Sequence, residues 1–218
     1  AKREETLQAK KLQEEELFKN TIEKSGGRKS KVNKKNIHIK CNYCNDGDSM
    51  DCIQYAASNL TNIKAGSQVE KQALTQDSFA ILTTRTNDVK EEGRVIFAAF
   101  MVMEPESAAQ EAEGYIHVDE QYKLALTLEE AEKIPFWEFY CNEKKPESIR
   151  MAAGLHRNLT DMQAAQILKK MAQILQGGSQ EEMAIRFFEH FCTTRNLDIN
   201  TISQPEGGLV RLRQMWEK

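Results

Sequence analysis

Cys41 and Cys44 stand two residues apart in the segment IHIKCNYCNDGDSMDC, and they carry the sharpest chemical signal in the chain. Two thiolates at this spacing can grip one zinc ion, because a tight turn brings both sulfurs to the same side. A structural site needs two more ligands. Cys52 is near enough in sequence to be the third, and His38 or the distant Cys141 is available as the fourth. A second Cys-x-x-Cys pair is absent, so ordinary buried cysteines are the competing reading. A redox pair would require the motif to open a helix after a strand in a βαβ unit, and the surrounding pattern shows none.

A second group of residues could address phosphates and bases. Seven basic residues, Lys24, Arg28, Lys29, Lys31, Lys34, Lys35 and Lys40, fall in one run with no acid among them. The net charge of −3 hides this. Of 30 basic residues these seven leave 23, against 33 acidic ones, a balance of −10 for the rest of the chain. A basic arm on an acidic body suits contact with phosphates or an acidic partner, and the alternative is a solvated linker. Arg85 and Arg94 sit at the edges of an apolar stretch and add phosphate-directed charge. Phe136, Trp137, Phe139 and Tyr140 crowd into five residues of a chain that is only 7% aromatic. Read as a strand, that segment alternates, with Phe136, Glu138 and Tyr140 on one face and Trp137 and Phe139 on the other, so one face could pack the core while the other stacks on a base, with Trp137 and Tyr140 the candidate from each face. The competing reading is two layers of core.

Catalytic patterns are thinner. Glu143-x-Lys145 follows the aromatic segment and has the form of part of a metal-dependent nuclease site, with Asp119 as the acid such a site would need. His156, in Gly-Leu-His-Arg, is a candidate phosphate ligand or general base in a loop-like context, and a lone histidine is more often a surface or packing residue. Gly-rich phosphate loops, the Gly-x-Ser-x-Gly elbow and His-Glu-x-x-His are all missing. The chemistry favours a binding module over an enzyme.

The elements that must position these residues are legible in outline. Residues 2–24 are rich in Lys, Glu, Gln and Leu and predict a helix, which Gly26-Gly27 stops. Ile37 and Ile39 alternate with polar residues as a short strand leading into the cysteine turn. Phe79 to Thr84 and Val95 to Met103 predict two strands of a core hairpin, with Thr83, Thr84 and Arg85 at the exit of the first. Gly114 to Val118 and Tyr122 to Leu126 predict a further hairpin. Thr127 with Glu130, Thr160 with Gln163, and Ser179 with Glu182 have capping-box spacing. They predict a helix running to about Ile134, one over 161–176 and one over 180–194. The last two, joined at Gly177-Gly178, should form an antiparallel hairpin. Leu209 to Trp216 predicts a closing helix with an exposed apolar end.

Strands and helices are segregated along the chain, which predicts an α+β fold. A central, mainly antiparallel sheet or small barrel would carry an N-terminal helix with a basic arm and a C-terminal helical hairpin. The expected segments are 1–24, 25–74, 75–150 and 151–218. The strand ending SFAILTTR, the core strand GRVIFAAFMV and the aromatic FWEFY together resemble the compact β-barrel readers of the PUA-like superfamily, of the EVE and YTH types. The resemblance covers roughly residues 75–145. It implies a domain that holds a modified or flipped base in an aromatic pocket, in a setting often linked to defence nucleases.

Charged residues make up 29% of the chain, mean hydropathy is −0.62 and no run of about eighteen apolar residues occurs, so no membrane partner is expected. Five cysteines without a secretory pattern point to a reducing, cytoplasmic setting. The expected function is a nucleic-acid-binding or sensing module, DNA or RNA, within a larger defence or regulatory protein. Contacts would come from Arg28, Lys29, Lys31, Lys34, Lys35, Arg85, Arg94, Trp137 and Tyr140. Zinc would be held by Cys41, Cys44, Cys52 and His38. The alternative is a protein-interaction or scaffolding subunit, and a metal-dependent nuclease stands behind both.

Overall fold

The computed structural model describes residues 36–40, 53, 56, 60, 62–64, 77–85, 89–103, 115–142, 145, 146, 148–151 and 156–217. The chain divides into two units, residues 1–33 and 34–218, and all described residues lie in the second. The predicted N-terminal helix, most of the basic arm and the three cysteines at 41, 44 and 52 lie outside the described residues.

The second unit is a mixed structure of sheet and helix. Six strands form one sheet: β1 (Asn36–Lys40), β2 (Asn62–Lys64), β3 (Phe79–Thr84), β4 (Val95–Met103), β5 (Tyr115–Ala125) and β6 (His156–Leu159). Their spatial order is β2-β5-β4-β3-β1-β6. Every pairing is antiparallel except β1 with β3, so the chain crosses over between those two strands. Among the described residues no pairing joins β2 to β6. The sheet therefore takes strands from three of the four expected segments, because residues far apart in sequence pair at its ends.

The β3–β4 hairpin is the centre. All six residues of β3 and seven of the nine in β4 are buried. A strand buried on both faces must be covered on both, and this explains the continuous apolar run Ile96–Val102. On one face Phe79 packs edge-on to Phe187 and tilted to Phe191, with ring centroids 6.0 and 5.2 Å apart. On the other, Lys123, in register with Phe100, reaches the Leu60 carbonyl at 2.9 Å, and Ile53, Ala56 and Leu60 are buried in the core.

Among the described residues four helices follow the central strands: α1 (Leu128–Ala131), α2 (Asp161–Ile174), α3 (Glu181–Thr194) and α4 (Gly208–Trp216). The Thr127–Glu130 and Thr160–Gln163 capping boxes form as the spacing predicts. Gly177, at φ +79°, ends the α2 segment in a left-handed turn that a side chain would resist. α2 packs on α3. Phe187, Phe191 and Cys192 are fully buried along α3, Phe188 is nearly so, and Met183 is half-buried.

Several expectations are corrected. Tyr115 to Ala125 is one strand, not a hairpin. A register shift opposite Met101 lets Asp119–Gln121 bulge outward, where the Asp119 carboxylate accepts from the Gln121 N–H at 2.8 Å. Ser179 does not cap α3. The helix starts after Gln180, whose side-chain amide donates to the Ala125 carbonyl at 2.8 Å and accepts from its N–H, standing in for a neighbouring strand. α1 stops at Ala131 rather than near Ile134, though Ile134 stays in line to accept the Ile96 N–H. His156 begins β6 instead of lying in a loop.

The aromatic segment is the largest correction. Phe136–Glu138 is a 3-10 turn, not a strand. Pro135 precedes it, and the Phe139 N–H closes back on the Phe136 carbonyl at 3.1 Å. Two carbonyls at and just after it receive the N terminus of α4: Gly207 N–H donates to Glu138 at 2.8 Å and Gly208 N–H to Tyr140 at 2.9 Å. A Cβ on Gly207 would lie 2.4 Å from the Trp137 carbonyl oxygen, so only glycine permits this approach.

Candidate functional site

β3 and β4 are joined by a polar turn containing the 3-10 stretch Glu91–Gly93, and this turn draws together three of the residues singled out from sequence. Arg85 leaves the end of β3, Arg94 enters β4, and Trp137 arrives from the aromatic turn that bridges to Val95 through Pro135. All three converge on Glu91. Arg94 Nε donates to Oε1 and its Nη2 donates to Oε2 at 3.0 Å, a two-pronged pairing. Arg85 Nε donates to Oε2 at 3.0 Å, and Trp137 Nε1 to Oε1 at 3.4 Å. Arg85 Nη1 also donates to the Val89 carbonyl at 2.8 Å.

Burial sets what this cluster can do. The Arg94 side chain is 3% exposed and the Glu91 side chain 18%, while Arg85 reaches solvent at 35%. Trp137 is fully buried. Burial by itself would raise the Glu91 pKa, but the hydrogen bond and charge of Arg94, the Trp137 N–H and the charge of Arg85 outweigh it and hold the carboxyl below the usual glutamate range. A carboxylate so well supplied with donors is a poor general base. It is a tie that closes the β3–β4 turn onto the aromatic turn.

Two of the expected contact residues are buried. Arg94 is buried and engaged, with Nη1 3.5 Å from Thr83 Oγ1, so its guanidinium does not face a ligand. Trp137 presents no free ring face to a base, because its apolar surface is spent in the core beside Phe136 and Tyr140. Tyr140 is half-buried and stacks on Phe136 with centroids 5.2 Å apart and planes 17° from parallel. Thr83 and Thr84 are buried as well. Arg85 alone of these residues combines charge with exposure.

Arg28, Lys29, Lys31, Lys34 and Lys35 lie outside the described residues, as do Cys41, Cys44, Cys52 and Glu143. His38 lies on β1, in register with Ile81 of β3 and Arg157 of β6. His156 is opposite Ile39. The basic run thus ends in a strand held between two others, with Arg157 and His156 on the outer one. Among the described residues no group of three or more His, Cys, Asp or Glu could hold a metal ion.

Sequence reasoning missed two residues. Glu91 is the hub of the turn, yet a Glu three residues before an Arg is commonplace in a chain with 29% charged residues. Arg195, at the end of α3, is the other. Its side chain is 5% exposed, Nη2 donates to the Asp77 carbonyl at 3.1 Å, and Asp161 lies 3.6 Å from Nε. The guanidinium carbon sits 5.4 Å from the Phe191 ring centre. Burial lowers its pKa, and the charges of Asp161 and Asp77 oppose that. It ties the helical hairpin to the start of β3, where Asp77 takes a left-handed φ of 60°. No helix among the described residues is long and apolar enough to cross a membrane.

Comparison with protein-family models, with curated proteins and with solved structures finds no match to this chain.

Proposed function

We propose that this chain is a nucleic-acid-binding module whose basic run, Lys24 to Lys40, contacts phosphates. One observation carries the reading: seven cationic residues without an intervening acid, on a chain whose remainder is strongly acidic. The last residue of the run, Lys40, lies on β1, which pairs with both β3 and β6 and so holds that end of the run in place before any ligand binds. Arg85 is the contact retained from the β-rich part. A flipped-base pocket of the kind implied by the PUA-like resemblance is not part of the proposal, since Trp137 is buried. Zinc at Cys41, Cys44, Cys52 and His38 would brace the segment just after β1, and elemental analysis showing about one zinc per chain would support that bracing.

Phosphate contacts release counterions, so affinity should fall steeply with salt, by a log–log slope of about −0.9 per phosphate on duplex DNA. Fluorescence anisotropy with labelled single-stranded RNA, single-stranded DNA and duplex DNA, across a salt series, tests the reading. Lys34→Glu with Lys35→Glu should weaken binding and reduce the slope by about 2. Equal affinity of wild type and variant for all three probes, or no binding to any, overturns it.

A second reading, a protein-interaction subunit, rests on the last turn of α4, where Met215 is 63% and Trp216 83% exposed. Concentration-dependent sedimentation abolished by Trp216→Ser would favour self-association through that turn. Identical monomeric sedimentation of both forms would remove it.

A further inference from the structure

No further inference is drawn: the strongest candidate, the exposed Met215–Trp216 turn at the end of α4, already serves the protein-partner reading, and nothing in the structure shows what covers it.

Discussion

Replacing Glu91 by Gln removes one charge while preserving shape, and the structure says what that leaves behind. Arg94 would remain 97% buried with no carboxylate among the described residues to neutralise it, its other side-chain partner there being the Thr83 hydroxyl at 3.5 Å. Breaking a buried pair by removing one partner costs about 3–5 kcal/mol. Because Glu91 keeps 18% side-chain exposure, water can reach the stranded guanidinium in part, and the low end, about 3 kcal/mol, is expected. Arg85, at 35% exposure, re-solvates and adds little, of order 0–1 kcal/mol. Equilibrium denaturation in urea at neutral pH reads the loss as a lowered midpoint. A companion variant, Glu91→Gln with Arg94→Met, removes the stranded cation and should recover most of the stability, because an apolar side chain of similar length suits that site. The pH dependence provides an independent check. Glu91 has a folded pKa below its unfolded one, so its contribution is full above the unfolded value of about 4.3 and disappears as pH falls through the folded value. Wild type should therefore lose stability below about pH 4 more steeply than Glu91→Gln does. A loss under about 1 kcal/mol for the single variant, with no recovery in the double, would refute the account of a buried tie.

Gly207→Ala should cost about 1–3 kcal/mol, since the new Cβ meets backbone atoms of Trp137 and Glu138 at 2.4–2.5 Å that cannot swing aside. The loss should appear in thermal unfolding, and a fall of under about 0.5 kcal/mol would show that α4 is not held by this approach. Cys192 is fully buried, and burial pushes its thiol up to about 11, so it should resist alkylation in the folded protein and react on unfolding. Mass mapping after brief iodoacetamide treatment checks this, and rapid labelling of Cys192 under native conditions would contradict its packing.

The pattern of local chemistry was legible in places where local chemistry decides. Thr127 and Thr160 cap their helices because the hydroxyl and the Glu or Gln three residues on need only each other. Ser179 has the same spacing and fails, because Gln180 finds the open backbone of Ala125, 55 residues away in sequence, and the helix begins one residue later. The apolar hairpin Phe79–Thr84 and Val95–Met103 was readable for a similar reason: strands buried on both faces leave an uninterrupted apolar record.

What the sequence by itself determined is therefore a fold mixing helix and strand, the central hairpin, the two helices after Thr160 and the charge split between residues 24–40 and the rest of the chain. Only the tertiary structure decided the status of the site residues. Alternation in FWEFY offered Trp137 to a ligand, but Pro135 and the two glycines that open α4 fold that segment into a turn and bury the ring. Arg94 and Arg85 look alike in sequence, and the position of Glu91 within the β3–β4 turn makes one an internal ion-pair partner while the other remains partly open to solvent. Parallel pairing of β1 with β3 and its antiparallel pairing with β6 were equally invisible, because a strand's neighbours depend on distant segments competing for the same edge and not on its own alternation.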